Sequence, residues 1–475
     1  MSLLLLIIDT LAFYISLLLA YYTRKVLDLS LSKYIKVSFT LHLFYFVKLW
    51  WIPLIYIFFI GYEGLYTKRL PFWEEARQIV KATTIAAIVT FAIVSLGKMS
   101  DKISRLVLVF LWFYALFVFP FFRYIEKILL SKLKIGREEI LIIGAGNAGK
   151  AVAREIEGDR YLGYQLVGFI DDKVENGERD VKVNDKVYKI LGKIRELPQI
   201  IEKDKVQKVI IAIPSLSKED LCKLVNFVQR YVKEVFVVPE LKGIALMNSK
   251  IYYLFMEQLF LLKINNNLQS KLNQMIKRIF DLTLGLLILP IFIPFCLAIG
   301  ILIKLDSEGP VFFVHRRIGK GGKEIKVIKF RTMYVDAEER LKKILETDPQ
   351  AKKEWETYFK LKNDPRVTRV GKFLRKTSLD ELPQVINVLI GDMSFVGPRP
   401  VVKEELDKYY KEFAEFYYMV KPGITGLWQV SGRSNTDYNF RVKLDTWYVL
   451  NWSLWLDIII LFKTIKVVLK REGAY

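Results

Sequence analysis

Residues 3–22, LLLLIIDTLAFYISLLLAYY, form an apolar run of the ~20 residues that a bilayer-crossing helix needs. The basic segment and small-residue cleavage site of a secretory signal are missing, so the run reads as a retained membrane helix. Further runs at Leu41–Gly61, Ala82–Leu96 and Leu106–Phe122 extend this to a four-helix transmembrane bundle over residues 1–135. Basic residues from Arg123 to Arg137 favour a cytoplasmic exit, but Arg24, Lys25, Lys33 and Lys36 would then sit in an outer loop, so the charge bias is weak. Asp9 lies inside the first run. An intramembrane carboxylate is a functional candidate, although near a helix end it can also reach the headgroups.

The rest of the chain is less oily. Overall 52% of residues are hydrophobic, yet 72 Lys+Arg against 50 Asp+Glu leave a net charge of +22. Aromatics at 14% exclude a disordered basic tail. The surplus therefore calls for an anionic partner: lipid headgroups, nucleic acid or a polyanionic substrate. Two cysteines, Cys222 and Cys296, exclude a disulfide framework, and two histidines, His42 and His315, leave little for a multi-His metal centre or a His-dependent triad. Chemistry falls to carboxylates, Lys, Arg and a hard metal ion.

Over 136–262 the pattern becomes that of an α/β module of Rossmann type. A short strand at Ile140–Ile143 leads into Gly144-Ala-Gly146-Asn-Ala-Gly149 and a helix, and a second strand at Gln165–Ile170 ends in Asp171-Asp172. Glycines for the turn, a helix N-terminus for a pyrophosphate and an acid for a ribose occur in that order in dinucleotide sites. Strands at Lys208–Ile213 and Glu234–Val238 continue the alternation. The loop also nearly matches a P-loop, but Ala151 stands where the metal-binding Ser or Thr belongs. A Tyr-x-x-x-Lys pair for dehydratase chemistry occurs only at Tyr358 and Lys362, outside the module. Gly144, Gly146 and Gly149 are thus a candidate nucleotide loop, or serve strand–helix packing alone.

Residues 263–475 carry the chemistry. An apolar run at Leu282–Ile303 is long enough to cross a bilayer, but Pro290 and Pro294 interrupt it and basic residues flank both ends. A helix bent at Pro290, with snorkelling cations on both shoulders, can enter one leaflet and leave by the same face, whereas an ordinary fifth span would cross. This predicts a re-entrant helix near 279–303. Trp452–Lys470 reads as an interfacial helix.

The polar stretch between contains Arg375-Lys-Thr-Ser378-Leu-Asp380-Glu381-Leu-Pro383. Ser378 and Glu381 are spaced as a capping box, predicting that a helix begins here. Asp380 and Glu381 could merely complement the helix dipole. The same helix end would also hold a carboxylate nucleophile, a metal ion and a phosphate together, with the two acids in different roles. Arg375, Arg399 between two prolines, and Arg433 after a glycine-rich loop are the candidate phosphate ligands, Arg being the better bidentate partner.

Together, Lys277-Arg-Ile-Phe-Asp281 before a proline-broken run, Gly309-Pro-Val-Phe-Phe, Arg317-Ile-Gly, Lys329-Phe-Arg-Thr-Met, Ser378-Leu-Asp-Glu-Leu-Pro-Gln, Gly391-Asp-Met-Ser-Phe-Val-Gly-Pro-Arg-Pro and Lys421-Pro-Gly-Ile-Thr-Gly resemble the bacterial sugar transferase family, monotopic polyprenyl-phosphate hexose-1-phosphate transferases. The resemblance is dense over 271–475, and the bundle and Rossmann-like module look like the N-terminal parts of its larger members. It implies that Asp380 attacks the sugar-linked phosphate of a UDP-sugar and releases UMP. Polyprenyl phosphate, in the form of undecaprenyl phosphate, then takes the phosphosugar. Glu381 completes the family's Asp-Glu dyad, Mg²⁺ is the implied metal for the two acids, and Arg375, Arg399 and Arg433 match phosphate or nucleotide positions. Where the family commonly has Ser-Pro in the re-entrant helix, this chain has Leu289-Pro290. The resemblance further implies a bacterial inner membrane location with a cytoplasmic catalytic face. A homodimer is expected from the bundle plus accessory fold, and nucleic acid is not expected as a partner. The rival functions are a membrane-tethered sugar-nucleotide dehydratase or dehydrogenase using the Gly144 loop, and a non-enzymatic scaffold for polysaccharide assembly.

Overall fold

The computed structural model describes residues 2–31, 49–99, 103–172, 180–240, 247, 249–254, 259–347, 364–432 and 438–470. Arg433, Tyr358, Lys362 and the first part of the second apolar run, 41–48, lie outside them. The chain divides into two compact units, Met1–Lys242 and Gly243–Tyr475.

The first unit opens with helices α1 (Ser2–Leu31), α2 (Trp51–Tyr62), α3 (Phe72–Leu96) and α4 (Arg105–Lys132). Stretches of α1, α3 and α4 are long and apolar enough to cross a membrane, while α2 has 12 described residues. α1 packs along α4, α4 against α3, and α3 against α2. The shared core includes Phe13, Tyr56, Ile79, Leu111 and Phe119. Asp9 does not turn toward headgroups. It is buried and accepts from Arg123 Nε at 2.9 Å, Arg123 Nη2 at 2.6 Å and Tyr66 Oη at 2.9 Å. Arg123 also reaches Glu75, which pairs with Lys127. Breaking such a buried pair costs about 3–5 kcal/mol, because one partner would keep an uncompensated charge.

A six-stranded sheet follows, built from β1 (Glu138–Ile143), β2 (Tyr164–Ile170), β3 (Asp180–Val183), β4 (Lys186–Gly192), β5 (Lys208–Ile211) and β6 (Glu234–Val237) in the order β3-β4-β2-β1-β5-β6. Every pairing is parallel except the β3–β4 hairpin. Ile140–Ile143 are all fully buried, as expected of a central strand covered on both faces. Helix α5 (Asn147–Gly158) leaves β1 through the glycine loop. A Cβ on Gly149 would sit 1.9 Å from the Gly144 carbonyl oxygen, so this glycine is required by strand–helix packing. Asp171 accepts from Ala145 N at 2.8 Å and Asp172 from Ile194 N at 2.7 Å, so both acids brace the loops around β2. Arg69, between α2 and α3, ties bundle to sheet by donating to the Leu162 carbonyl at 3.0 Å and pairing with Glu138 at 2.9 Å. Tyr161 completes the joint, edge-on to Phe72 and stacked on Tyr124.

The second unit begins with an antiparallel pair, β7 (Lys250–Leu254) and β8 (Leu259–Lys263), and then the 36-residue helix α8 (Lys271–Asp306), which contains Pro290 and Pro294. An antiparallel hairpin follows, β9 (Phe312–Ile318) and β10 (Glu324–Phe330), and then helices α9 (Ala337–Thr347), α10 (Arg369–Thr377) and α11 (Gln384–Ile390). Two short strands, β11 (Ser394–Val396) and β12 (Gly423–Thr425), pair in parallel, and α12 (Tyr438–Asn451) and α13 (Leu454–Lys470) end the described chain. The core joins α8, β10, α11, β11, α12 and α13 through Phe292, Val327, Val388, Val396, Tyr448 and Ile460. In the helix read as interfacial, α13, one charge does not face outward. Asp457 is buried and accepts from Lys277 Nζ at 2.6 Å, Tyr448 Oη at 2.7 Å and Trp452 Nε1 at 3.0 Å.

Candidate active site

Both ends of α8 are fastened around the Asp380-Glu381 segment. At its start Lys277 also donates to the Val396 carbonyl at 3.0 Å, Arg278 caps the C-terminus of α11 by donating to the Leu389 carbonyl at 2.8 Å, and Asp281 accepts from Ser394 Oγ at 3.1 Å. At its end Asp306 accepts from Val370 N at 2.9 Å, at the start of α10, and Arg331 donates to the Ser307 carbonyl at 2.8 Å. Asn387 of α11 then staples that helix to β10, donating to the Lys326 carbonyl at 2.7 Å and accepting from Ile328 N at 3.0 Å. Hairpin, turn and helices thereby hold a fixed register.

The acid pair does not open a capped helix. Ser378 ends α10 in the left-handed conformation, φ 56°, and makes no side-chain cap. Leu379–Glu381 form one 3₁₀ turn, and α11 begins only after Pro383. The capping-box expectation fails because Glu381 has a stronger partner than a backbone amide: Lys329 Nζ lies 2.8 Å from its Oε1, and Arg399 Nη2 lies 3.5 Å from the same oxygen. A left-handed Ser is a costly conformation that recurs at functional sites. Here it turns the chain sharply enough to present adjacent acids from a turn.

Asp380 is mostly shielded. Burial and the neighbouring Glu381 carboxylate hold its carboxyl above the usual carboxylate range, while Lys329 and Arg375 oppose that rise. Arg375 is oriented by donating from Nε to Thr332 Oγ1 at 2.9 Å. Arg399 stands in a tight crossover: a Cβ on Gly423 would lie 2.1 Å from Gly397 N, so β12 approaches the Gly397-Pro398-Arg399 segment as only glycine permits. A small cleft opens here, lined by Lys329, Glu381, Gln384 and Arg399 and, from β9, His315 and Arg317.

Asp380, Glu381, Arg375 and Arg399 are therefore brought together, whereas Gly144, Gly146 and Gly149 belong to the other unit and Pro290 lies within α8. Lys329, His315, Arg317, Thr332 and Asn387 were given no role from sequence. Strand alternation was the available signal: 315, 317, 327 and 329 share one face of an antiparallel hairpin. Among the described residues no group of three or more His, Cys, Asp or Glu side chains could hold a metal ion. Two adjacent carboxylates suit a hard cation that takes its other ligands from water and substrate phosphate, as Mg²⁺ does.

A shielded carboxylate beside a second one, ringed by Lys and Arg from separate elements, suits nucleophilic attack on a phosphate ester. Residues 272–471 match the bacterial sugar transferase family and residues 63–239 a CoA-binding domain family. An undecaprenyl-phosphate galactose phosphotransferase from Salmonella typhimurium is 40% identical over 415 residues, covering 86% of this chain and 84% of that protein. The chain belongs to the bacterial sugar transferase family. It is a membrane protein and a phosphotransferase. A UDP-glucose:undecaprenyl-phosphate glucose-1-phosphate transferase from Escherichia coli K12 is 34% identical over 71% of this chain and 68% of its own length. The exopolysaccharide production protein ExoY from Rhizobium meliloti is 50% identical over 201 residues, 42% of this chain but 88% of ExoY. ExoY thus consists almost wholly of the stretch it shares with this chain.

Proposed function

We propose that this sugar transferase moves a sugar-1-phosphate from a UDP-sugar to undecaprenyl phosphate in two steps through Asp380, opening exopolysaccharide, capsule or O-antigen synthesis. An Asp380 carboxylate oxygen attacks the sugar-linked phosphorus, the bond to the UMP oxygen breaks, and UMP leaves. A phosphosugar-aspartyl enzyme remains. An oxygen of the polyprenyl phosphate then attacks that phosphorus, forming the lipid diphosphate sugar and restoring the carboxylate. The observation that carries this reading is Asp380 mostly shielded on a strained turn, beside a Glu381 that Lys329 and Arg399 hold. Lys329 and Arg399 would bind the diphosphate oxygens, Arg375 would steady the Asp380 charge, and Arg433 would serve the nucleotide. Mg²⁺ held by Asp380 and Glu381 would neutralise charge on the phosphates when bound.

One feature supports a one-leaflet placement. A straight 36-residue helix is ~54 Å long at 1.5 Å per residue, enough to cross the ~30 Å bilayer core. Yet both ends of α8 bond to α10, α11 and β11 of one small unit, which fits a helix that turns at Pro290 and returns. The reading includes a catalytic face on the cytoplasmic side of a bacterial inner membrane, where UDP-sugars are made. It also takes the 3-2-1-4-5 order of the parallel strands as Rossmann-like, divides the chain at 135 and 262, and includes a homodimer, which light scattering of the purified protein tests.

A UMP-release assay with undecaprenyl phosphate across a panel of UDP-sugars tests the reaction. Radiolabelled phosphosugar should be trapped on the wild type and not on Asp380→Asn. Equal trapping on both would remove Asp380 as nucleophile. Turnover with a nicotinamide cofactor and no UMP would favour a dehydratase or dehydrogenase, and full cellular function of Asp380→Asn with Glu381→Gln would favour a scaffold.

A further inference from the structure

His315 sits on β9 opposite Val327, one diagonal step from Lys329, which pairs with Phe313. Such diagonal neighbours have backbones ~7–8 Å apart, and both side chains line the cleft beside Glu381. Arg317 Nη2 lies 3.1 Å from His315 Nδ1. A guanidinium only donates, so Nδ1 must accept and the ring proton stands on Nε2. Arg317 is itself fixed, 3.2 Å from Glu405 Oε1, and Glu405 also accepts from Tyr438 Oη at 2.6 Å. Among the described residues Nε2 has no hydrogen-bond partner and is not enclosed, while the side chain lines the cleft with Lys329, Glu381 and Arg399. Burial, Arg317 and Lys329 all lower the His315 basicity, Glu405 opposing, which keeps the ring neutral.

The cleft already has cations for phosphate oxygens. A neutral donor of fixed direction, lining the same cleft, suits an uncharged oxygen. We propose that His315 is a specificity-determining residue: its Nε2–H donates to a hydroxyl oxygen of the sugar being transferred, and Arg317 fixes the tautomer. This rests on the transfer reading above. The sugar with that hydroxyl in the right epimeric position gains one hydrogen bond, and its epimer leaves the donor facing nothing.

The full chain in lipid nanodiscs, assayed for transfer across UDP-glucose, UDP-galactose and their N-acetylated forms, tests it. His315→Ala should lower kcat/KM about tenfold for the preferred sugar and much less for its epimer, collapsing the ratio between them. His315→Gln, which keeps a donor amide, should restore most of the ratio. With ¹⁵N-histidine labelling only His42 and His315 report, and the His315 ring should show the Nε2–H tautomer and shift when the preferred UDP-sugar is added. An equal loss for all sugars, an unchanged ratio, or an Nδ1–H ring would overturn the proposal. No transfer by the wild type from any UDP-sugar would instead defeat the underlying reaction.

Discussion

Replacing Lys277 by Met tests how the membrane helix is fixed to the catalytic unit. Lys277 and Asp457 are 8% and 1% exposed and lie 2.6 Å apart, and Asp457 keeps two neutral donors, Tyr448 and Trp452, when the lysine is lost. Those donors soften the loss but leave a buried carboxylate without a counter-charge, a defect worth about 3–5 kcal/mol. Met matches the lysine stem, so little of the cost comes from a cavity. For a unit of this size ~4 kcal/mol corresponds to a fall of roughly 10 °C in Tm. Asp457→Asn on the Lys277→Met background removes the stranded charge while keeping an acceptor for Tyr448 or Trp452, so it should return half or more of the loss. Thermal unfolding of the four proteins of the cycle, in one detergent with UMP release in parallel, gives the coupling energy. Additive losses, with the double variant less stable than Lys277→Met, would refute the reasoning.

Two further outcomes concern the site and one the glycine loop of the other unit. If Asp380 is the nucleophile proposed above, loading needs it ionised, and its carboxyl lies above the ordinary range, so single-turnover UMP release should fall as pH drops through a limb higher than a free aspartate's; Lys329→Met removes a cation that lowers Asp380 and should move that limb further up, read from the pH profile. Gly423→Ala places a Cβ 2.1 Å from Gly397 N, so the β11–β12 crossover must part, at a cost of about 1–3 kcal/mol, with Arg399 displaced and kcat reduced at least tenfold in steady-state assays. Gly146→Ala meets nothing within 4 Å and should leave transfer within twofold of wild type.

Local pattern carried the module and failed at the acid pair for identifiable reasons. The strands at Ile140, Gln165 and Lys208 were legible because short apolar runs between turn signals match buried parallel strands, and the exposed edge strand at Glu234 by its β-branched and aromatic run. The β3–β4 hairpin was not, since DVKV and KVYKILG mix charge with β-branched residues as an edge does. Ser378-x-x-Glu381 satisfies the capping pattern, yet the residues before it are already helical, and four letters cannot distinguish the end of α10 from the start of another helix. Asp457 read as an interfacial charge because its partner Lys277 is 180 residues away. The same distance effect concealed Lys329 and His315: both stand in motifs or near them, but their role depends on hairpin register and on the Asn387 staple. Asp380, Glu381, Arg375 and Arg399 were found because acids and arginines beside prolines and turns need no distant partner to be noticed.

The basic surplus also divides differently once contacts are known. Residues 263–475 hold 36 Lys+Arg and 24 Asp+Glu, which could suggest a generally cationic surface drawing in phosphates. Many of those cations do internal work instead. Lys277 neutralises Asp457, Arg278 caps α11, Arg331 caps the end of α8, and Arg441 stands beside Glu405 and Asp445. Each of these fastens one element of this unit to another. Lys329 and Arg399 differ, since both point at Glu381 from the open cleft, where a diphosphate could displace them from one carboxylate and share them with another anion. Exchange of that kind costs little, because the cations remain paired throughout. On the proposed reaction, substrate charge would be met by a few preplaced groups, leaving the long-range field of the remaining lysines for a lipid surface.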